Sequence, residues 1–268
     1  MMKLSFSTLG CPDWSWEQIL DNAKDMGFQG VEVRGILREL NNEALEPFQD
    51  GNIGATKAAL QSRGLAISCL DTSCTFLSDT PLEETLRAGR ESIDIAQKMG
   101  IRYIRVFGDR IPNGMDSKTA IQTVAGGMQA LGEYAQDKGV TVLQETHGNF
   151  AESKMLLAVF DLVRNPAAGV LWDIANPFEF GEKPADTWAG LRHLIRHAHI
   201  KDIIVQNGKL VPCLPGKGIV PIGETVALLK EAGYDGWLSF EWEKLWHSAI
   251  EEPEVALARF QEYIRRYL

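Results

Sequence analysis

The 268-residue chain has four cysteines but no CxxC pair and no disulfide-framework spacing. Cys11, Cys69, Cys74 and Cys213 therefore read as reduced, buried thiols of a cytoplasmic protein. Long hydrophobic runs are missing too. No apolar stretch reaches the length of a membrane span, and the opening MMKLSFSTLGCPDW lacks the long apolar core of a secretory signal. Positive charge is also short: 27 Lys and Arg against 36 Asp and Glu give a formal net charge of −9, spread over the chain. A nucleic-acid backbone needs a basic stripe, so that partner is disfavoured. What is present is an ordinary globular composition, 45% hydrophobic and 24% charged, able to bury a large core.

Linkers and low-complexity tracts are absent, and one punctuation recurs in their place. A helical run ends in a cation and Gly, and a β-rich run follows at once: KDMGFQGVEV, QSRGLAISCL, QKMGIRYIRVF, QDKGVTVLQE and KEAGYDGWLSF. Gly27, Gly64, Gly100, Gly139 and Gly233 suit the left-handed position that closes a helix, and the cations suit its negative end. The periods predict strands near 3–9, 30–34, 65–71, 101–107, 139–145, 168–173, 196–201 and 236–242. They predict helices near 15–26, 52–63, 81–99, 116–138, 152–164, 185–195, 222–232 and 251–267. Such strict alternation, within one domain of residues 1–268, matches an α/β fold, a closed (β/α)8 TIM barrel with right-handed crossovers. An open doubly wound sheet would want a Gly-rich phosphate fingerprint after the first strand, and TLGCPDWSW is not one.

In such a barrel the chemistry sits at the carboxyl ends of the strands. Glu32 and Arg34 share a face in VEVRG, and Arg105 and Asp109 follow in IRVFGDR. Glu145 and His147 lie two apart in LQETHGNF, Asp173 precedes Asn176 in VLWDIANPF, and His197, His199 and Lys201 alternate in HAHIKD. Glu241 and Glu243 do the same in LSFEWEK. A lone carboxylate at a strand end is usually just solvated, and a lone His is usually structural. Acids and a His at equal depth on four consecutive strands would repel one another and lose solvation, and a divalent cation removes both costs. Three carboxylates and one imidazole suit Mn²⁺, Mg²⁺ or Co²⁺, and Zn²⁺ also accepts such ligands.

Through Glu145 in QETH, Asp173 in LWDIAN, His199 in HAHIKD and Glu241 in SFEWEK, with LPGKGIVPIGETVALLKEAGYDG between the last two, nearly the whole chain resembles a known family. That family is the sugar phosphate isomerase/epimerase group of the xylose isomerase-like barrel superfamily. The resemblance implies that Glu145, Asp173, His199 and Glu241 bind one divalent metal, with Mn²⁺ the first choice. It also implies that Glu145 and Glu241 move protons at a sugar carbon. Ketose 3-epimerases of the superfamily usually carry a His three residues after the Asp and an Arg six residues after the metal His. Here those positions hold Asn176 and Val205, which argues against a simple free-ketohexose epimerase. The tail EWEKLWHSAIEEPEVAL resembles members that act on cyclitols or oxidised 3-keto-glycosides.

The expected partner is thus a small sugar or polyol, and the expected reaction an isomerisation or epimerisation through an enediolate. Loss of a β-hydroxyl, a dehydratase or lyase outcome on a keto-cyclitol or 3-keto-glycoside, is the alternative. His147 and Asn176 are expected to contact substrate hydroxyls. Lys201 is read either as steadying an oxyanion or as an ion pair with Glu243. Arg34 and Arg105 are substrate contacts or, in the plainer reading, ion-pair partners of Glu32 or Asp109. Gly216, Lys217 and Gly218 do not have P-loop spacing, and no phosphate site is assigned to them. Trp14, Trp16 and Trp246 are candidates for an apolar wall over a sugar, while Trp242 by parity packs under the outer helices. An abasic-site endonuclease would carry more than five His and a basic mouth. A non-enzymatic sugar-binding protein would not need both Glu145 and Glu241. Amphipathic late helices and Trp246 leave room for a homo-oligomer.

Overall fold

Strand and helix alternate along the chain, and a glycine turns the chain at or just past the end of several helices. Gly27, Gly64, Gly100, Gly139 and Gly233 all have φ between 68° and 77°, the left-handed region that stops a helix without a Cβ clash. The structure, a computed structural model, describes residues 2–268. Its elements are β1 (Lys3–Ser7), α1 (Trp16–Asp25), β2 (Gly30–Val33), α2 (Ile53–Arg63), β3 (Ala66–Thr75), α3 (Leu82–Met99), β4 (Tyr103–Phe107) and α4 (Ser117–Ala135). Then follow β5 (Thr141–Glu145), α5 (Ser153–Phe160), β6 (Ala168–Asp173), α6 (Ala175–Glu179), α7 (Pro184–Leu191), β7 (Ile195–Ile200), β8 (Asp202–Gln206) and β9 (Lys209–Cys213). α8 (Ile222–Glu231), β10 (Trp237–Phe240) and α9 (Pro253–Ile264) complete the chain. Eight parallel strands close into a barrel in the order β1-β10-β7-β6-β5-β4-β3-β2, the (β/α)8 TIM barrel expected.

Two features depart from the expected pattern. The segment after β7 forms an antiparallel hairpin of β8 and β9, separate from the barrel. Its turn is Asn207-Gly208, with φ of 52° and 73°, the dipeptide that favours a two-residue turn. A short extra helix, α6, also precedes α7. Among the described residues, no helix is long and apolar enough to cross a membrane.

The barrel interior is layered by the two-residue period of its strands. Cys69, Tyr103, Leu143 and Leu171, on β3 to β6, pack together as an apolar floor. Two residues further along the same strands stand Asp71, Arg105, Glu145 and Asp173, all buried. Outside the strands, Phe6, Phe28, Phe240 and Phe260 join β1, β10 and α9, with Phe240 and Phe260 stacked at 4.7 Å. That outer layer fixes the strands, and the strands fix the height of every polar side chain above the floor.

Candidate functional site

His199 lies at the centre of the polar layer, with Asp173 as its register partner on β6 and Ser239 on β10. Its Nε2 is 2.5 Å from Oε1 of Glu32. Its Nδ1 is buried without a hydrogen-bond partner. Three carboxylates face that nitrogen: Glu241 Oε1 at 3.4 Å, Glu145 Oε1 at 3.9 Å and Asp173 Oδ2 at 4.0 Å. A donor set of these four residues lies within 4.8 Å of itself. Donors that share one ion through bonds of about 2.1 Å stand about 3–4 Å apart, so the four fit one divalent cation.

The electrostatics point the same way. Burial would favour a neutral His199, but Glu32 and Glu241 outweigh it and raise the imidazole well above its usual range. A metal ion at Nδ1 would take the place of a proton there. Burial pushes Asp173 up to about 7 against the pull of Lys201, with Glu241 and Glu145 adding to the rise. For Glu241, burial is outweighed by Lys201 and His199, which hold the carboxyl well below the ordinary range.

Around the quartet, supporting groups fix each ligand. Glu32 accepts from both imidazoles, His197 Nε2 and His199 Nε2, each at 2.5 Å. A histidine whose far nitrogen is tied to a carboxylate presents its near nitrogen in one orientation. Arg105 lies between Glu145 and Asp71, at 3.1 and 3.0 Å. The amides of Ala175 and Asn176 donate to Asp173 Oδ1 at 2.8 and 3.2 Å. Lys201 Nζ reaches Asp173 Oδ2 at 2.8 Å, Glu243 Oε1 at 2.9 Å and Glu241 Oε2 at 3.2 Å. It forms the ion pair with Glu243 and two more with the quartet itself.

Other expected contacts fall differently. Arg34 and Arg105 do not pair with Glu32 or Asp109: Glu32 is taken by the two imidazoles, and Asp109 by His147 Nδ1 at 3.0 Å. Asp109 can reach back because its backbone is left-handed, with φ 63°. Asn176 spends its amide on the Thr146 carbonyl at 2.8 Å, so it braces the β5–β6 edge instead of offering that donor to a substrate. It still lines, with His147, Glu179 and Arg110, a rim cavity of about 330 Å³. His147 is half-exposed, its ring 4.8 Å from that of Phe107. The tryptophan wall is not formed: Trp14, Trp16 and Trp242 are buried, and of the four only Trp246 is exposed. The Gly216-Lys217-Gly218 loop wraps Asp202, whose carboxylate accepts from the amides of Gly216, Gly218 and Val220. Those amides are already used, so the loop offers no phosphate cradle.

Asp71 was not marked by its sequence context, although a buried acid two residues after Cys69 in an apolar strand was the available signal. All four cysteines are free and buried.

Comparison with known proteins identifies the fold and the family. An inosose dehydratase of Bacillus thuringiensis (strain Al Hakam) is 26% identical over 285 residues, covering 94% of this chain and 89% of that protein. The crystal structure of the IOLI protein with a binding zinc atom has the same fold, with a TM-score of 0.82 at 15% identity over 100% of this chain and 99% of that one. So does a D-allulose 3-epimerase from Methylomonas sp., with a TM-score of 0.77 at 21% identity over 100% and 98%. The family described as xylose isomerase-like TIM barrel matches residues 20–267, and the chain belongs to that family.

Proposed function

We propose that this protein is a divalent-metal-dependent lyase that removes water from a cyclic keto-polyol, such as a keto-cyclitol or a 3-keto-glycoside. The observation that carries the reading is the pair Glu145 and Glu241, buried carboxylates flanking the unpartnered Nδ1 of His199. The likeness to an inosose dehydratase supports water loss as the outcome. The zinc of the IOLI protein supports a metal in this fold.

Held by Glu145, Asp173, His199 and Glu241, a divalent ion, Mn²⁺ before Mg²⁺, Co²⁺ or Zn²⁺, supplies Lewis acidity at the substrate carbonyl and makes the adjacent C–H acidic. One of the two glutamates takes that proton, and the freed electron pair becomes a C=C bond as the β C–O bond breaks. His147 gives the departing hydroxide the proton with which it leaves as water. Asp109 equips His147 for this proton donation, because burial would depress the imidazole but the Asp109 hydrogen bond and the nearby Glu145 charge raise it. Lys201 steadies Asp173 and Glu241 and adds positive charge beside the developing oxyanion.

The test is turnover of a keto-cyclitol by Mn²⁺-loaded protein, followed by the ultraviolet absorption of the conjugated product. Glu145→Gln and Glu241→Gln are each expected to lower kcat by about 10²- to 10⁴-fold with the melting temperature retained. Full turnover in both variants would contradict the reading. The same glutamate pair also suits an isomerase or epimerase, in which the proton returns to carbon. Solvent deuterium in a saturated product, with no water lost, would favour that outcome.

A further inference from the structure

Arg34 follows β2 directly, on the inward side of the barrel, two residues beyond Glu32. It is 8% exposed, yet among the described residues it forms no ion pair. The acids in its neighbourhood are taken: Glu32 by His197 and His199, Asp71 and Glu145 by Arg105, and Glu241 by Lys201. Its backbone amide is fixed by the Thr8 hydroxyl at 3.0 Å, and Nη2 donates to the hydroxyl of Ser73 at 3.0 Å. Nη1 is buried with no partner at all. Ser73 is exposed, so the guanidinium spans the boundary between the interior and the open mouth.

A buried cation without a counter-ion is costly to keep. Burial, with the nearby Arg105 charge, lowers Arg34 to about 10, so it remains a cation at neutral pH. It draws long-range relief first from Asp71, which Arg105 already pairs, and then from Glu145 and Glu241, whose share weakens once those two carboxylates hold a divalent ion. In the barrel order β2 stands across from β6, so Arg34 faces the quartet over the width of the mouth. A ring whose carbonyl lies at the quartet would bring its far side toward β2 and β3.

We propose that Arg34, with the Ser73 hydroxyl, is a carboxylate-recognition subsite, and that the substrate is a cyclic keto-polyol bearing a carboxylate on the side away from the reacting carbonyl. The placement rests on the quartet being the reacting end, as proposed above. A planar guanidinium with free N–H groups matches a carboxylate, and one arginine with one hydroxyl offers too few donors for a phosphate.

The test uses calorimetric titration of the Mn²⁺-loaded full chain with three probes: quinate, its neutral methyl ester and myo-inositol, all polyhydroxylated cyclohexanes. Quinate is expected to bind about 10- to 100-fold more tightly than its ester. That advantage should vanish in Arg34→Met and partly return in Arg34→Lys. Thermal melting checks that the variants fold, and the ester comparison needs no variant. Equal binding of quinate and ester, binding of none of the three probes, or an undiminished advantage in folded Arg34→Met would each overturn the subsite. The lyase reading is tested separately, by water loss. A carboxylate advantage without dehydration of any ring strikes the lyase reading and leaves the subsite standing.

Discussion

On β5, β6 and β7 and just past β10, the barrel mouth carries Glu145, Asp173, His199 and Glu241 beside the ammonium of Lys201. On β2, β3 and β4 it carries Glu32, Asp71 and Arg105, with Arg34 just past β2. The first half packs three carboxylates against one imidazole nitrogen that nothing else bonds. In the second half Glu32 lies against two imidazoles and Asp71 against Arg105, and Arg34 is left without an ion pair. At the same depth of the same barrel, one side is short of a cation and the other of an anion. In the proposals above, the first half takes the reacting end of a substrate and the second its carboxylate end.

Disabling the cation-hungry half should have the largest effect, the loss of about 10²- to 10⁴-fold in turnover expected for Glu145→Gln or Glu241→Gln. Next in size, Arg105→Met would strand Asp71 and Glu145 as buried, unpaired carboxylates. Urea unfolding of the metal-free protein should then show a loss of about 3–5 kcal/mol, and an unchanged midpoint would mean that Arg105 is not what holds those acids. Smaller again is Glu32→Gln, which weakens the anchor behind His199. Competition with a chelator should report metal affinity reduced by about 10- to 100-fold.

The two halves also differ in pH response. Asp173, raised to about 7 by burial, holds a proton in the folded metal-free protein that the unfolded chain has already released. Its contribution to stability is therefore present below its ordinary range near 4 and is lost as pH rises toward 7. Metal loading removes that loss, because the ion takes the place of the proton. Melting temperature against pH should slope downward over this interval for the metal-free protein and less so for the loaded one. Parallel slopes would count against Asp173 as a ligand. At the bottom of the scale, Lys217→Ala should change none of these quantities, because its loop is organised by Asp202.

The alternation of strand and helix was legible because five units repeat the same helix stop and the change of period marks the others. That Glu145, His199 and Glu241 face inward was legible because an error of two residues in a strand boundary leaves parity intact, but parity turns His197, Lys201 and Glu243 inward too, and the family resemblance singled out the quartet. Partner choice was not legible. Asp71 meets Arg105 through the register between β3 and β4, and a register is a property of the closed barrel, not of either strand. Asp109 reaches His147 only through a left-handed backbone that an aspartate tolerates but does not announce. The β8–β9 hairpin did carry its signal, Asn207-Gly208 between alternating residues, and was readable as a turn.

The central claim is that the four residues around His199 Nδ1 hold one divalent ion. Elemental mass spectrometry of the full chain, loaded with Mn²⁺ and desalted, tests it beside His199→Ala and Glu241→Gln. The account predicts about one metal ion per chain in the wild type and nearly none in either folded variant. A wild type that retains no metal, or variants that retain as much as the wild type, would contradict it.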